Sequence, residues 1–150
     1  MKCLVATDGS ETALAAVQQA KALLRPEAHF VLVTVIPERE DPLETAGGFE
    51  GPLLTEEEAD AEFAKDQADG QAALERTMVA VGDDTVDIRL IPALEQPGHA
   101  IVEWARETDA DLIVIGARRH GLLKRIFTGS ISDYVVHHAP CPVLVVRDHE

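Results

Sequence analysis

The sequence predicts an α/β fold: one domain, residues 1–150, with a parallel, doubly wound sheet and helices on both faces. Short apolar runs rich in β-branched residues alternate with longer stretches whose apolar residues recur at helical spacing. Such an alternation produces right-handed β-α-β crossovers, which place helices on both sides of a parallel sheet. The length, 150 residues, suits a single domain with one core.

The first part of the chain predicts a strand, a helix and a second strand. Lys2 to Thr7 form the first strand, and Ser10 is a suitable N-cap for the helix that follows. Apolar residues then recur at helical spacing from Ala13 to Leu24. The run from Phe30 to Ile36 is apolar enough for a central strand that is covered on both faces, and Pro37 is expected to end it.

A polar segment and one long helix are predicted next. Residues 38–52 form a loop that is long for a compact domain. Thr55 and Glu58 have the spacing of a capping box. The helix they begin is expected to run to about Val81, with Gly70 as a weak point.

The rest of the chain predicts three strands and two helices. A strand at or near a sheet edge precedes a helix that follows Pro97-Gly98, and a buried strand precedes a short helix and a last strand. The corresponding segments are Val86–Ile91, a helix with Ile101, Trp104 and Ala105 on one face, Leu112–Ile115, Ser130–His138 and Cys141–Val146.

Composition excludes several classes of partner. The formal net charge is −14, from 27 acidic and 13 basic residues, which argues against general binding to nucleic acid or to anionic membranes. No apolar run reaches the length of a membrane span, and the amino terminus lacks a signal-peptide pattern, so a cytoplasmic location is expected. Cys3 and Cys141 lie in predicted strands, where we expect reduced, buried thiols.

The stretch from Ala110 to Ser132 has the features of an anion site. A buried strand is expected to break at Gly116, and a loop without acidic residues follows, leading to Gly129-Ser130 at a helix start. Glycines let a backbone approach a ligand, and unpaired N–H groups at a helix start attract anions. The loop carries four cationic side chains, Arg118, Arg119, Lys124 and Arg125. An ordinary loop, whose glycines only satisfy turn geometry, is the alternative interpretation.

These residues also carry a resemblance to a known family. Gly116 and Gly129-Ser130, together with PCPVLVV near the end of the chain and VATDGSETA near its start, resemble the universal stress protein family. Nucleotide-binding members of that family have the pattern G-x2-G-x9-G-[ST]. In this sequence the second glycine of the pattern is replaced by Arg119.

The resemblance implies a strand order of 3-2-1-4-5 and a site for ATP, with any Mg²⁺ held mainly by phosphate oxygens and water. It implies that strands one and four are neighbours, so that the ligand lies beyond their carboxyl ends. The residues implied for nucleotide binding are Ala6, Thr7 and Asp8 on the nucleoside side, Val35 with its backbone towards adenine, Gly116, Gly129, Ser130, Ile131 and Ser132 towards the phosphates, and Ile115 at the end of the fourth strand. Arg118 or Arg119 would fold over the phosphates or, alternatively, remain a solvated charge.

The sequence is compatible with two roles for Asp8. A carboxylate opposite a phosphate site suits a ribose hydroxyl, but an aspartate before glycine is also a common turn former. The last strand, Cys141 to Val146, is apolar on both faces and is expected at a sheet edge. The resemblance implies a homodimer through this strand; cover by the chain's own helices is the alternative.

Three functions remain compatible with the sequence. The favoured one is a homodimeric regulatory or sensing module that binds ATP or a related adenine nucleotide in a stress response. The second is an interaction module that binds no nucleotide, and the third is a weak ATPase or nucleotidyl transferase on the same fold. No catalytic residue and no protein-borne metal site is predicted, because the phosphate loop has no acid before Asp133.

Overall fold

The computed structural model describes residues 1–42, 54–83, 86–94, 96–117 and 130–147. Its strands and helices alternate in the order β1 (Lys2–Ala6), α1 (Glu11–Leu23), β2 (His29–Pro37), α2 (Glu56–Val81), β3 (Asp87–Ala93), α3 (Pro97–Glu107), β4 (Leu112–Ala117), α4 (Ser130–His138) and β5 (Val143–Arg147). The strands form one five-stranded sheet in the order β3-β2-β1-β4-β5, and every neighbouring pair is parallel. The predicted fold class and the strand order are therefore confirmed.

The core has two layers because successive side chains of a strand point to opposite faces of the sheet. On one face, Cys3 and Val5 of β1 pack with apolar residues of α1 and α2. On the other face, Leu4 and Ala6 pack with apolar residues of α3 and α4. Cys3 is fully buried, and this burial raises the pKa of its thiol, as expected for an unreactive core cysteine.

Local sequence signals fix the ends of the two helices on the first face. The Ser10 hydroxyl accepts a hydrogen bond from the Ala13 N–H at the start of α1. Thr55 and Glu58 form the predicted capping box, and the hydrogen bond from the Thr55 N–H lowers the pKa of the Glu58 carboxyl. At the other end of α2, the Lys21 ammonium donates to the Val81 carbonyl.

Several strand boundaries differ by one or two residues from the sequence-based expectation, and those at Gly116, Pro37 and Cys141 have a physical reason. Gly116 does not break the fourth strand: it pairs with Val146 of β5, and the strand continues through Ala117. Pro37 is itself the last residue of β2: it pairs with Ala93, whose carbonyl accepts from the Glu38 N–H at 3.1 Å, so this pairing does not require an N–H on the proline. Cys141 is half-buried and precedes β5, which begins at Val143; the Pro142 carbonyl accepts from the Ile113 N–H at 3.0 Å, but Pro142 has no N–H to donate to the ladder.

Gly70 has a packing role that its sequence position did not reveal. It is buried in the middle of α2, and a Cβ atom there would lie 2.6 Å from Leu90 Cδ2 and 2.8 Å from Ile36 Cγ2. The missing side chain thus lets α2 approach the β2–β3 edge of the sheet closely. What was expected to be a weak point is a close helix–sheet contact.

Gly70→Ala is therefore expected not to stabilise the protein. Alanine gains about 1 kcal/mol in helix propensity, but two methyl groups must move, and overpacking costs about 1–3 kcal/mol. Chemical denaturation should show an unchanged or lower free energy of unfolding. The control is Ala68→Gly on the exposed side of the same helix, which should cost about the propensity difference alone, near 1 kcal/mol. A clear gain in stability for Gly70→Ala would contradict the contact.

Candidate functional site

A cavity of about 340 Å³ opens at the carboxyl ends of β1, β2 and β4. The chain leaves β1 towards β2 and leaves β4 towards β5, so the direction of winding reverses between these two neighbouring strands. Open α/β sheets bind ligands at this point, because diverging connections leave a crevice there. Residues from all three strands, from the starts of α1 and α3, and from the first turn of α4 line the cavity.

Most of the residues named from the sequence come together here. Those that line the cavity are Ala6, Thr7, Asp8, Val35, Ile115, Gly116, Ile131 and Ser132. Ser130 is the first residue of α4. Arg118, Arg119 and Gly129 lie outside the described residues, as do the other cationic residues of that loop. The role of the whole set as nucleotide ligands stays a prediction.

The turn after β1 is held by its own side chain. Asp8 Oδ1 accepts a hydrogen bond of 2.9 Å from the Ser10 N–H, and Gly9 between them has a left-handed φ of +72°. Asp8 is solvent-exposed at the cavity. The carboxylate therefore has the turn-forming role considered above, and its position also allows it to reach a ligand.

Thr7 lines the cavity, but its polar groups are bonded within the protein. Its side chain is nearly buried, and its N–H donates to the Val33 carbonyl at 2.9 Å. Its carbonyl accepts from the Thr34 hydroxyl at 2.7 Å, and its own hydroxyl lies 2.7 Å from the Thr77 hydroxyl. Every polar group of Thr7 thus has a protein partner, and these hydrogen bonds fix the position of the turn.

Gly116 allows α1 to lie directly against β4. A Cβ atom at this position would be 3.0 Å from the Thr12 carbonyl oxygen and 3.2 Å from its carbonyl carbon. Because these are backbone atoms, the first turn of α1 could not keep its place beside a larger residue. The glycine shapes one wall of the cavity, in addition to any contact with a ligand.

Several lining residues escaped sequence reasoning. They are Ser10, Thr12, Ala13, Val33, Thr34, Pro97, Ile101 and Ala117. A signal for Pro97 was available: a helix that follows a parallel strand starts at the carboxyl edge of the sheet, where ligands bind. The others required the pairing register, since Val33 reaches the site through its alignment with Ala6.

The lining of the cavity combines apolar and polar side chains. The side chains of Val33, Ile101 and Ile115 form an apolar wall, and Asp8 and Ser132 are polar residues of the lining.

Among the described residues, no group of three or more His, Cys, Asp or Glu side chains could hold a metal ion. None of the helices described is both long and apolar enough to cross a membrane.

The fold and the crevice define a doubly wound α/β protein with a cavity at the reversal of its strand order. The model of the universal stress protein family matches residues 1–147, and the chain belongs to that family. It is 33% identical over 149 residues to the universal stress protein Sll1388 of Synechocystis sp., with 97% of each chain covered. It is 29% identical over 147 residues to YxiE of Bacillus subtilis, covering 97% of this chain and 98% of that one.

Solved structures show the same fold. MJ0577, whose biochemical function was assigned from its structure, superposes with a TM-score of 0.73 at 27% identity, covering 99% of this chain and 96% of that one. UspA from Lactobacillus plantarum gives 0.70 at 26% identity, with 98% and 97% covered. More distant members were solved with cAMP, with dAMP (from Archaeoglobus fulgidus) and with AMP (from Arabidopsis thaliana), at 24%, 20% and 18% identity.

Proposed function

We propose that this protein binds ATP or a related adenine nucleotide in the crevice between β1 and β4, and that it acts as a regulatory or sensing module. The observation that carries the proposal is the cavity of about 340 Å³ at the reversal of strand order, with an apolar wall beside a carboxylate-bearing turn. Pockets for small ligands have volumes of roughly 300–1,000 Å³ and combine apolar walls with few polar groups. A purine nucleoside fits both descriptions.

The nucleoside is assigned to the side of the crevice formed by β1 and β2. Val33, Ile101 and Ile115 would contact the purine, and the backbone of Val35 at the end of β2 would face its edge. Asp8 is exposed beside them and would accept a hydrogen bond from a ribose hydroxyl. This assignment uses a carboxylate that the turn already holds in place.

The phosphates are assigned to the end of β4 and the start of α4. Gly116 and Ala117 end the strand, and Ile131 and Ser132 belong to the first turn of α4. The first N–H groups of a helix have no partner within the helix and favour an anion. Gly129 and the arginines of the preceding loop are expected from the sequence to complete this side; they lie outside the described residues.

The solved complexes support the class of ligand. Universal stress proteins of this fold have been seen with AMP, dAMP and cAMP. At their low identity the likeness concerns the fold alone, so the nucleotide assignment rests on the residues of this chain. The regulatory role is part of the proposal, and its support is membership of the universal stress protein family.

A homodimer through β5 is part of the proposal. β5 is an edge strand whose residues Val143, Leu144 and Val145 are only half-buried. An unpaired apolar edge is a liability that pairing with a second copy removes. Light scattering should give twice the mass of the chain, and Val145→Lys should give the monomer mass; a wild-type monomer at high concentration would contradict the dimer.

The first experiment looks for retained and added nucleotide. Protein purified without added ligand would be denatured, and the supernatant analysed by mass spectrometry; calorimetry of the emptied protein would then use ATP and AMP. We expect adenine nucleotide in the supernatant or saturable heat with ATP. No nucleotide in the supernatant, no heat and no thermal shift at millimolar ATP would contradict the proposal.

Arg119→Gly tests the departure from the family pattern. If the guanidinium folds over the phosphates, its removal should weaken ATP binding roughly tenfold, because hydrogen bonds between charged groups are worth about 1.5–3 kcal/mol. Binding of AMP, with its single phosphate, should change less. Tighter ATP binding would instead mean that Arg119 obstructs the phosphates.

The same residue supports a second candidate function. A bulky side chain at a position where the family pattern has glycine is compatible with an interaction module that binds no nucleotide. That candidate predicts flat titrations for the wild type and recovered binding for Arg119→Gly. The nucleotide proposal predicts saturable binding for the wild type and weaker binding for Arg119→Gly.

A further inference from the structure

We propose that Thr77, on α2 and remote in sequence from the nucleotide motif, is a positioning residue that fixes the Asp8-Gly9-Ser10 turn and thereby sets nucleotide affinity. The inference rests on the proposed nucleotide function. Thr77 does not line the cavity. It is completely buried, and it acts on the crevice through Thr7.

The hydroxyl hydrogen bonds around Thr77 have a defined direction. Thr77 donates its only hydroxyl proton to the Ala73 carbonyl, at 2.8 Å. In the 2.7 Å contact between the two hydroxyls, Thr7 must therefore be the donor and Thr77 the acceptor. The Thr7 oxygen in turn accepts from the Gly9 N–H at 3.0 Å. A directed series thus runs from the Gly9 amide through both hydroxyls to the backbone of α2.

A second contact joins the same turn to the same part of α2. A Cβ atom on Gly9 would lie 2.8 Å from Ala73 Cα and 3.0 Å from Ala73 Cβ. The backbone of the turn is thus packed directly on the residue whose carbonyl accepts from Thr77. Packing on Ala73 sets the distance between the turn and α2, and the hydrogen bonds through the Thr7 and Thr77 hydroxyls set the orientation of the turn.

The consequence for the crevice follows from what the turn carries. Asp8 and Ser10 flank Gly9 and both line the cavity. Losing the Thr77 hydroxyl would leave the nearly buried Thr7 hydroxyl proton without its acceptor, and such a group is costly. Thr7 would then rotate or recruit water, and the Gly9 N–H would lose a fixed acceptor. The turn, and the Asp8 carboxylate with it, would become less well positioned for a ribose.

The test compares Thr77→Val, which keeps the shape but removes the hydroxyl, with Thr77→Ser, which keeps the hydroxyl. Thr108→Val is the matched control, because Thr108 makes the same type of bond to a carbonyl four residues earlier, that of Trp104, at the far end of α3. Two quantities are measured for each protein: the hydrogen exchange rate of the Gly9 amide and the affinity for ATP by calorimetry. Should Thr77→Val not fold, Thr77→Ala is measured instead, since it also removes the hydroxyl.

We expect Thr77→Val to speed Gly9 exchange about tenfold and to weaken ATP binding about fivefold, as the loss of one buried hydrogen bond would. Thr77→Ser should keep the exchange rate and the affinity close to those of the wild type. Thr108→Val should change neither quantity, whatever its effect on stability. Unchanged Gly9 exchange, or faster exchange with wild-type affinity, would overturn the inference. A wild type that binds no ATP would refute the nucleotide proposal and the affinity claim with it, and the exchange rates would then report only the contact with the turn.

Discussion

Gly9→Ala is expected to lower the free energy of unfolding by roughly 2–4 kcal/mol. Gly9 has a left-handed φ of +72°, which costs about 1–2 kcal/mol for a residue with a Cβ atom. The new Cβ would also lie 2.8 Å from Ala73 Cα. Arg76 Nη2, at 2.7 Å, can move away at the end of a flexible side chain, but the backbone of α2 cannot. Urea denaturation of the variant and the wild type measures the difference.

Gly82→Ala is the matched control for this prediction. Gly82 caps α2 with a similar left-handed φ of +67°, but a Cβ atom there would meet nothing closer than Lys21 Nζ at 4.0 Å. It should therefore show only the cost of the backbone conformation, about 1–2 kcal/mol. Equal losses for the two variants would mean that the turn after β1 is not packed on α2, and the positioning role of Thr77 would lose one of its two contacts with the turn.

Asp8→Asn is expected to weaken ATP binding at least tenfold, about 1.4 kcal/mol, with little effect on stability. The asparagine Oδ1 can still accept from the Ser10 N–H, so the turn keeps its internal hydrogen bond. The negative charge and its strong hydrogen bond to a ribose hydroxyl are lost. Calorimetry gives the affinity, and thermal unfolding shows whether the protein is otherwise intact.

Asp111→Asn provides the control at the opposite edge of the sheet. Asp111 also accepts a backbone hydrogen bond, from the Lys2 N–H at 2.7 Å, where β1 and β4 begin. The charge change is the same, but the crevice is not nearby, so ATP affinity should stay close to that of the wild type. If both variants bound ATP like the wild type, Asp8 would be a turn former alone and the ribose assignment would be wrong.

The architecture was predictable because it depends on local patterns. The alternation of apolar runs with helical spacing is visible in short windows, and Ser10, Thr55 and Glu58 signal helix starts by their own chemistry. The position of Asp8 could be predicted for a related reason. A residue that ends a strand of a doubly wound sheet lies at the carboxyl edge, whatever the rest of the chain does.

The features that sequence reasoning missed all depend on contacts between distant segments. Gly116 was expected to end its strand, yet parallel pairing with β5 continues past it. The role of Gly70 required knowing that α2 lies across Leu90 and Ile36. Thr77 shows no motif, because its significance comes from facing Thr7, seventy residues earlier in the chain. Hydrophobic periodicity predicts the helices and strands, but how closely they pack against one another depends on tertiary contacts.

The most direct test of the central claim is to titrate the isotope-labelled, nucleotide-free protein with ATP and to monitor its backbone amide signals by NMR. Nucleotide binding in the crevice predicts saturable shifts for Asp8, Gly116 and Ser132, which line the cavity, and little change for Asp111 at the opposite edge. Amide signals in the crevice that stay unchanged at millimolar ATP, or saturable shifts that appear only elsewhere on the protein, would contradict it.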